Sequence, residues 1–87
     1  MDNELLLKQL KAISDSKRME ILKLLSKQEK CACMLQEKLD MTQSGLSYHM
    51  KLLSEAGIVN CRQEGKWTHY SINQEFKNNI LHFIESL

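Results

Sequence analysis

The chain has no proline, only three glycines (Gly45, Gly57 and Gly65) and three cysteines among 87 residues. With no proline to break them, helices are expected to dominate. Three cysteines cannot all pair, which argues against a disulfide framework and for thiol chemistry. No apolar run approaches the ~20 residues of a membrane span, and the N-terminus lacks a signal-peptide pattern. A cytoplasmic protein that meets no membrane is expected, with its cysteines reduced. Low-complexity tracts and internal repeats are absent. So are a Ser/His/Asp arrangement, a glycine-rich phosphate loop and paired acids, and an enzyme is therefore not expected. Charge is nearly balanced, at a formal net +1. That does not exclude a nucleic-acid binder, because binding depends on where the basic residues sit.

What the chain does have is 43% hydrophobic and 26% charged residues. This is the composition of a single globular domain spanning residues 1–87. A domain this small buries only about 60% of its unfolded surface, so its own core is marginal and oligomerisation is an expected remedy. Asn3 to Ile13 carries Leu6, Leu10 and Ile13 at helical spacing, with Leu5 and Leu7 broadening the stripe. Asp15 is placed to cap a second helix from Ser16 to about Lys27, with Met19, Leu22 and Leu25 inward and Ile21 and Leu24 widening that face. Met34 to Leu39 reads as a short helix, and Asp40-Met41 as a tight turn.

Thr42 caps the next helix, which runs to about Ala56. Leu46, Met50 and Leu53 form one stripe, and Ser44, Ser47, Tyr48 and Lys51 the opposite one. Gly57 ends this helix, since glycine takes the left-handed conformation of a C-terminal cap. Val59 to Ile72 is rich in β-branched and aromatic residues around Glu64-Gly65 and predicts a hairpin. Gln74 to Leu87 closes the chain as a helix with Phe76, Ile80, Phe83, Ile84 and Leu87 on one side. The order is that of a winged helix-turn-helix: mainly α with a small β-hairpin. The terminal helices keep apolar stripes that a dimer interface would cover.

A DNA-reading helix needs one face anchored in the core and another offering hydrogen-bonding side chains to base edges, its first turns deepest in the groove. Gln43, Ser44, Ser47 and Tyr48 meet that requirement, with Lys51 nearer the phosphates. In the hairpin, Arg62 and Lys66 flank the turn and suit the DNA backbone. His49 lies beside the apolar stripe and is expected to bond within the domain. From Thr42 to Ile72, Lys51, Arg62 and Lys66 face only Glu55 and Glu64, a weak basic surplus that suits a dimer doubling its phosphate contacts.

Upstream lies Cys31-Ala32-Cys33. Two thiols one residue apart suit a soft metal or metalloid ion, because thiolates select soft ions over hard ones. In a regular helix these side chains diverge, so chelation by both requires an extended start to the short helix. Thiols beside a DNA-reading unit imply a switch.

Four segments carry a family resemblance: Ile13-Ser14-Asp15-Ser16-Lys17-Arg18-Met19-Glu20-Ile21-Leu22; Cys31-Ala32-Cys33; the run Thr42-Gln43-Ser44-Gly45-Leu46-Ser47-Tyr48-His49-Met50-Lys51-Leu52-Leu53; and Glu64-Gly65-Lys66-Trp67-Thr68-His69-Tyr70-Ser71. Together they resemble the ArsR/SmtB family of bacterial metal-responsive winged-helix repressors over nearly the whole chain. Ser16 departs from the pattern, standing where the family usually has proline at the start of the second helix. The resemblance implies a homodimer that represses an operon when metal-free and leaves its double-stranded operator DNA when an inducer binds. No resident cofactor is required.

Within the family a C-x-C at this place is similar to sites for arsenite, antimonite, cadmium or lead. The three-cysteine arsenic site has a further cysteine where this chain has Gln36, and the cadmium and lead subgroup adds cysteines near the N-terminus that this chain lacks. Cys61, at the start of the wing, is the remaining candidate ligand; the alternative is that it is a small buried hydrophobe. Arsenite held by two thiolates plus an external thiol or hydroxide is a further arrangement. His82 and Glu85 have the H-x-x-E spacing of the family's zinc sensors, but their partner positions fall on Gln74 and Phe76. Arsenite or antimonite is the expected inducer, with another thiophilic metal or thiol redox state as alternatives. A Cys31–Cys33 disulfide closes a very small ring, which counts against the redox alternative.

Overall fold

The computed structural model describes residues 3–87. In chain order they form α1 (Asn3–Ile13), α2 (Ser16–Leu25), β1 (Lys30–Cys31), α3 (Ala32–Leu39), α4 (Gln43–Glu55), β2 (Val59–Glu64), β3 (Trp67–Ile72) and α5 (Gln74–Glu85). The strands make one antiparallel sheet in the order β1-β3-β2. It is a winged helix-turn-helix in which the expected hairpin has gained a third, two-residue strand.

Local chemistry sets most of the boundaries. Asp15 caps α2 by accepting from the Arg18 N–H at 3.0 Å. That backbone bond is the main reason its carboxyl lies below the usual aspartate value. Asn73 caps α5 by accepting from the Glu75 N–H. After α4, Gly57 adopts φ +74°, and Gly57 and Ile58 donate back to the carbonyls of Ser54 and Leu53. These two bonds satisfy carbonyls that the helix end would otherwise leave unpaired.

The core lies where the helices meet the sheet. Ile21, Leu35, Met50, Leu53 and Ile58 are its most deeply buried large side chains, surrounded by Leu25, Leu46, Val59 and Phe76. The inward face of α2 differs from expectation: Ile21 and Leu25 form its centre, while Met19 is 49% exposed. These two buried positions are four residues apart, and Met19 falls outside their stripe. The expected helix from Met34 begins earlier, at Ala32, and α2 stops at Leu25.

At the ends of the chain, α1 and α5 touch each other. Phe76 is buried and Ile80 packs against the core, whereas Leu7, Leu81 and Ile84 are each more than half exposed.

Candidate nucleic-acid interface and thiol site

Between α3 and α4 the chain turns through Asp40, which takes a left-handed conformation (φ 50°). Its N–H and that of Met41 return to carbonyls of α3, so the turn is held by backbone bonds. Thr42 then opens α4, its Oγ1 accepting from the Gly45 N–H at 3.0 Å. A Cβ at Gly45 would stand 3.0 Å from that same oxygen, so glycine leaves room for the cap.

The helix is anchored through Leu46, Met50 and Leu53, all buried. Gln43, Ser44, Ser47, Tyr48 and Lys51 are exposed on the other side. The five side chains singled out in the sequence are therefore brought to one accessible surface. His49 is not among them: it is half-buried and meets Arg18 at 3.0 Å, as expected of a residue bonded within the domain.

The wing turns at Gly65, with φ +61°. Lys66 and Trp67 are exposed beside it. Arg62 is engaged within the protein. It donates to both carboxylate oxygens of Glu29, at 2.7 and 3.1 Å, and to Glu64 at 3.3 Å. Those bonds hold Glu29 below its usual pKa and Arg62 above its own. The Arg62 guanidinium is thus shared with two acids rather than offered free to a phosphate.

Cys31 ends β1 and is the N-terminal cap of α3, with extended backbone (φ −71°, ψ 143°). Its Sγ accepts from the Cys33 N–H at 3.2 Å. Because Cys31 is outside the helix and Cys33 in its first turn, the side chains converge. Their Cα atoms are 5.3 Å apart and the two sulfurs are in contact. The extended start to α3 that convergence of the two thiols requires is present at Cys31.

Cys61 stands apart from this pair within one chain. It is exposed on β2 opposite Tyr70, whose other neighbour is Lys30, while Cys31 is opposite His69. Side chains alternate along a strand, so Cys61 and Cys31 leave opposite faces of the sheet. Burial, and then the adjacent Cys61 thiol, raise the Tyr70 phenol above its ordinary pKa. Among the described residues, no three His, Cys, Asp or Glu side chains converge as a metal site. His82 and Glu85 are exposed on α5, and Phe76, at one of the zinc-sensor positions, is in the core.

A cavity of about 250 Å³ lies between the thiols, the start of α4 and the wing. Cys31, Cys33, Gln43, Ser47, Lys66 and Trp67 are on its wall. Trp67 was not singled out as a site residue in the sequence, although an aromatic beside the wing lysine is a signal for one. Glu29 gave no local signal, because its partner is 33 residues away.

A helix with a polar exposed face, a two-helix turn and a basic-tipped wing define a DNA-binding regulator of the winged helix-turn-helix class. The family profile described as "Bacterial regulatory protein, arsR family" matches residues 15–60. The chain is 40% identical over 72 residues to the arsenical resistance operon repressor of Bacillus subtilis (strain 168), covering 82% of this chain and 69% of that protein. Against the arsenical resistance operon repressor of Staphylococcus xylosus it is 45% identical over 71 residues, covering 82% and 68%. Its fold matches that of the homodimeric winged helix-turn-helix domain Mb0332 from Mycobacterium bovis with a TM-score of 0.81, at 23% identity, covering 95% and 77%. The chain belongs to the arsR family of bacterial transcriptional regulators, which are not enzymes.

Proposed function

We propose that this regulator is a homodimeric repressor that leaves its operator when arsenite or antimonite binds Cys31 and Cys33 as thiolates. The observation that carries the reading is the extended Cys31 at the cap of α3, which lets both sulfurs meet one atom. Likeness to arsenical resistance operon repressors supports the choice of ion. Arsenic needs a third donor, and an external thiol or hydroxide is proposed for it, since Cys61 leaves the other face of the sheet. Gln43, Ser44, Ser47 and Tyr48 face the bases, with Lys51 and Lys66 on the phosphates. The exposed Leu7, Leu81 and Ile84 form the contact between protomers.

A second reading is favoured by one observation, the pairing of the two sulfurs. In it the disulfide itself is the signal, and oxidation rather than an ion changes the grip on DNA.

Titrating reduced protein onto its own promoter fragment, with and without arsenite, tests the first reading. Displacement by arsenite under reducing conditions is expected. Displacement by oxidant alone, with arsenite inert, would establish the second.

A further inference from the structure

The thiols begin α3, and α3 precedes the reading helix, so a route from the thiols to DNA through the helices is the obvious one. The sheet offers another. Cys31 is the last residue of β1, and β1 belongs to the wing: Lys30 pairs with Tyr70 and Cys31 with His69. One residue before β1, Glu29 reaches across to Arg62 on β2 with two hydrogen bonds. The segment carrying the first thiol is thus tied to both strands of the wing, by backbone to β3 and by side chain to β2.

We propose that the thiol pair acts on DNA through the wing, with Glu29 and Arg62 as the positioning residues that transmit the change. This rests on Cys31 and Cys33 being the sensor.

An ion bridging the two sulfurs imposes its own ligand angle, which neither free thiols nor a disulfide share. Something must adjust. Cys33 sits in the first turn of a hydrogen-bonded helix, whereas β1 is held by only two residue pairs. The adjustment therefore falls on β1. The β2–β3 hairpin, with six pairs from Val59–Ile72 to Glu64–Trp67, moves as a unit. Its link to β1 is what changes, and Lys66 at its tip changes position relative to α4.

The same contact admits an opposite role. If Arg62 were a phosphate contact restrained by Glu29, neutralising Glu29 would release it to DNA. Glu29→Gln separates the two by sign. Under the wing route, operator affinity without inducer falls roughly 2- to 30-fold, the range that substitutions along a coupling route produce. The effect of arsenite shrinks from the ~5–150-fold of ordinary couplings toward none. Arg62→Gln does the same, and the double variant is no worse than Arg62→Gln alone. Arsenite affinity of the DNA-free variants, read by calorimetry, stays at the wild-type value. A rise in operator affinity with a steeper salt dependence in Glu29→Gln overturns the proposal.

If arsenite fails to move wild-type protein from DNA, the sensor reading has failed, and the wing route is still read directly. Amide exchange at Cys31, His69 and Tyr70 in DNA-free wild-type protein is expected to quicken when arsenite binds. Exchange changes confined to α3 and α4 would overturn the wing route whichever signal the thiols sense.

Discussion

Arg18 on α2 donates from its Nη1 to the Nδ1 of His49 on α4 across 3.0 Å, and from its Nε to the Ala12 carbonyl at the end of α1. One guanidinium joins three helices. Because it can only donate, Nδ1 must accept and the imidazole proton lies on Nε2. Arg18→Met keeps the apolar stem and removes both bonds. It is expected to cost about 1.5–3 kcal/mol, the range for hydrogen bonds from a charged group, measured by urea denaturation. Unchanged stability would show that the contact only accompanies the packing of α2 on α4.

Under the proposed function, base reading falls to the exposed first turns of α4. Gln43→Ala should reduce discrimination at one position per half-site by about 1–3 kcal/mol. Lys66→Ala should weaken all sequences alike and lower the salt slope by about 1. Binding to a panel of operator variants at several salt concentrations distinguishes these effects. If Gln43→Ala left both affinity and preference intact, the bases would be read elsewhere.

Much of this arrangement was legible in the sequence because its causes are local. Asp15, Thr42 and Gly57 announce helix ends through their own side chains or backbone freedom, and the Leu46–Met50–Leu53 stripe fixes which face of α4 is presented. The partner of His49 was not legible, but its position beside that stripe was enough to keep it off the reading face. Strand β1 was not legible either. Two residues are too few for an alternating pattern, and Lys30–Cys31 is a strand only because β3 lies alongside it. For the same reason the Glu29–Arg62 pair, formed across the sheet, had no local mark, and Arg62 read as a contact to the DNA backbone.

The exposed apolar side chains of α1 and α5 lead to a prediction about assembly. Ile84 is 56% exposed and Leu81 54%. Burying an aliphatic side chain of this kind is worth about 1.5–3 kcal/mol, so a charge at its centre should dissociate a modest interface. Ile84→Glu is expected to sediment as a monomer at micromolar concentration, with wild type a dimer. It should also lose operator affinity, because two half-sites are then no longer held together. A wild-type monomer would remove the dimer from the proposed function.

Stability should decline in acid in a way set by two carboxylates. The backbone N–H of Arg18 holds Asp15 below its ordinary value of 3.8, and the Arg62 side chain holds Glu29 below 4.5. Above those values both groups are ionised whether or not the chain is folded, and their contribution is complete. As pH falls below them, the unfolded chain binds protons first, so the contribution shrinks until the folded groups also protonate. Glu29→Gln should flatten this decline without altering it above about pH 5, a margin taken from ordinary carboxylate titration. Thermal denaturation between pH 3 and 7 measures it; an identical acid profile would show that the pair is broken in solution.

The last prediction concerns the sulfurs. Cys31 and Cys33 differ in setting: one caps α3 from an extended strand, the other lies in its first turn. Neither packs in the core, so Cys31→Ser and Cys33→Ser should each fold and bind operator. Each should also lose release by arsenite, leaving a repressor that stays on DNA. Serine at position 31 still offers an oxygen to the Cys33 N–H, which keeps the cap of α3 and separates loss of the ion from loss of the helix start. Cys61→Ser should respond normally, because its side chain leaves the opposite face of the sheet beside Tyr70. Loss of response in Cys61→Ser would make it a ligand, which in this geometry requires a sulfur from the other protomer. Mixed dimers, with Cys61→Ser in one chain and Cys33→Ser in the other, would then decide it. A cross-protomer site leaves such a dimer with one intact set of three thiols, so half of the arsenite binding should persist. A site built within each chain would leave none.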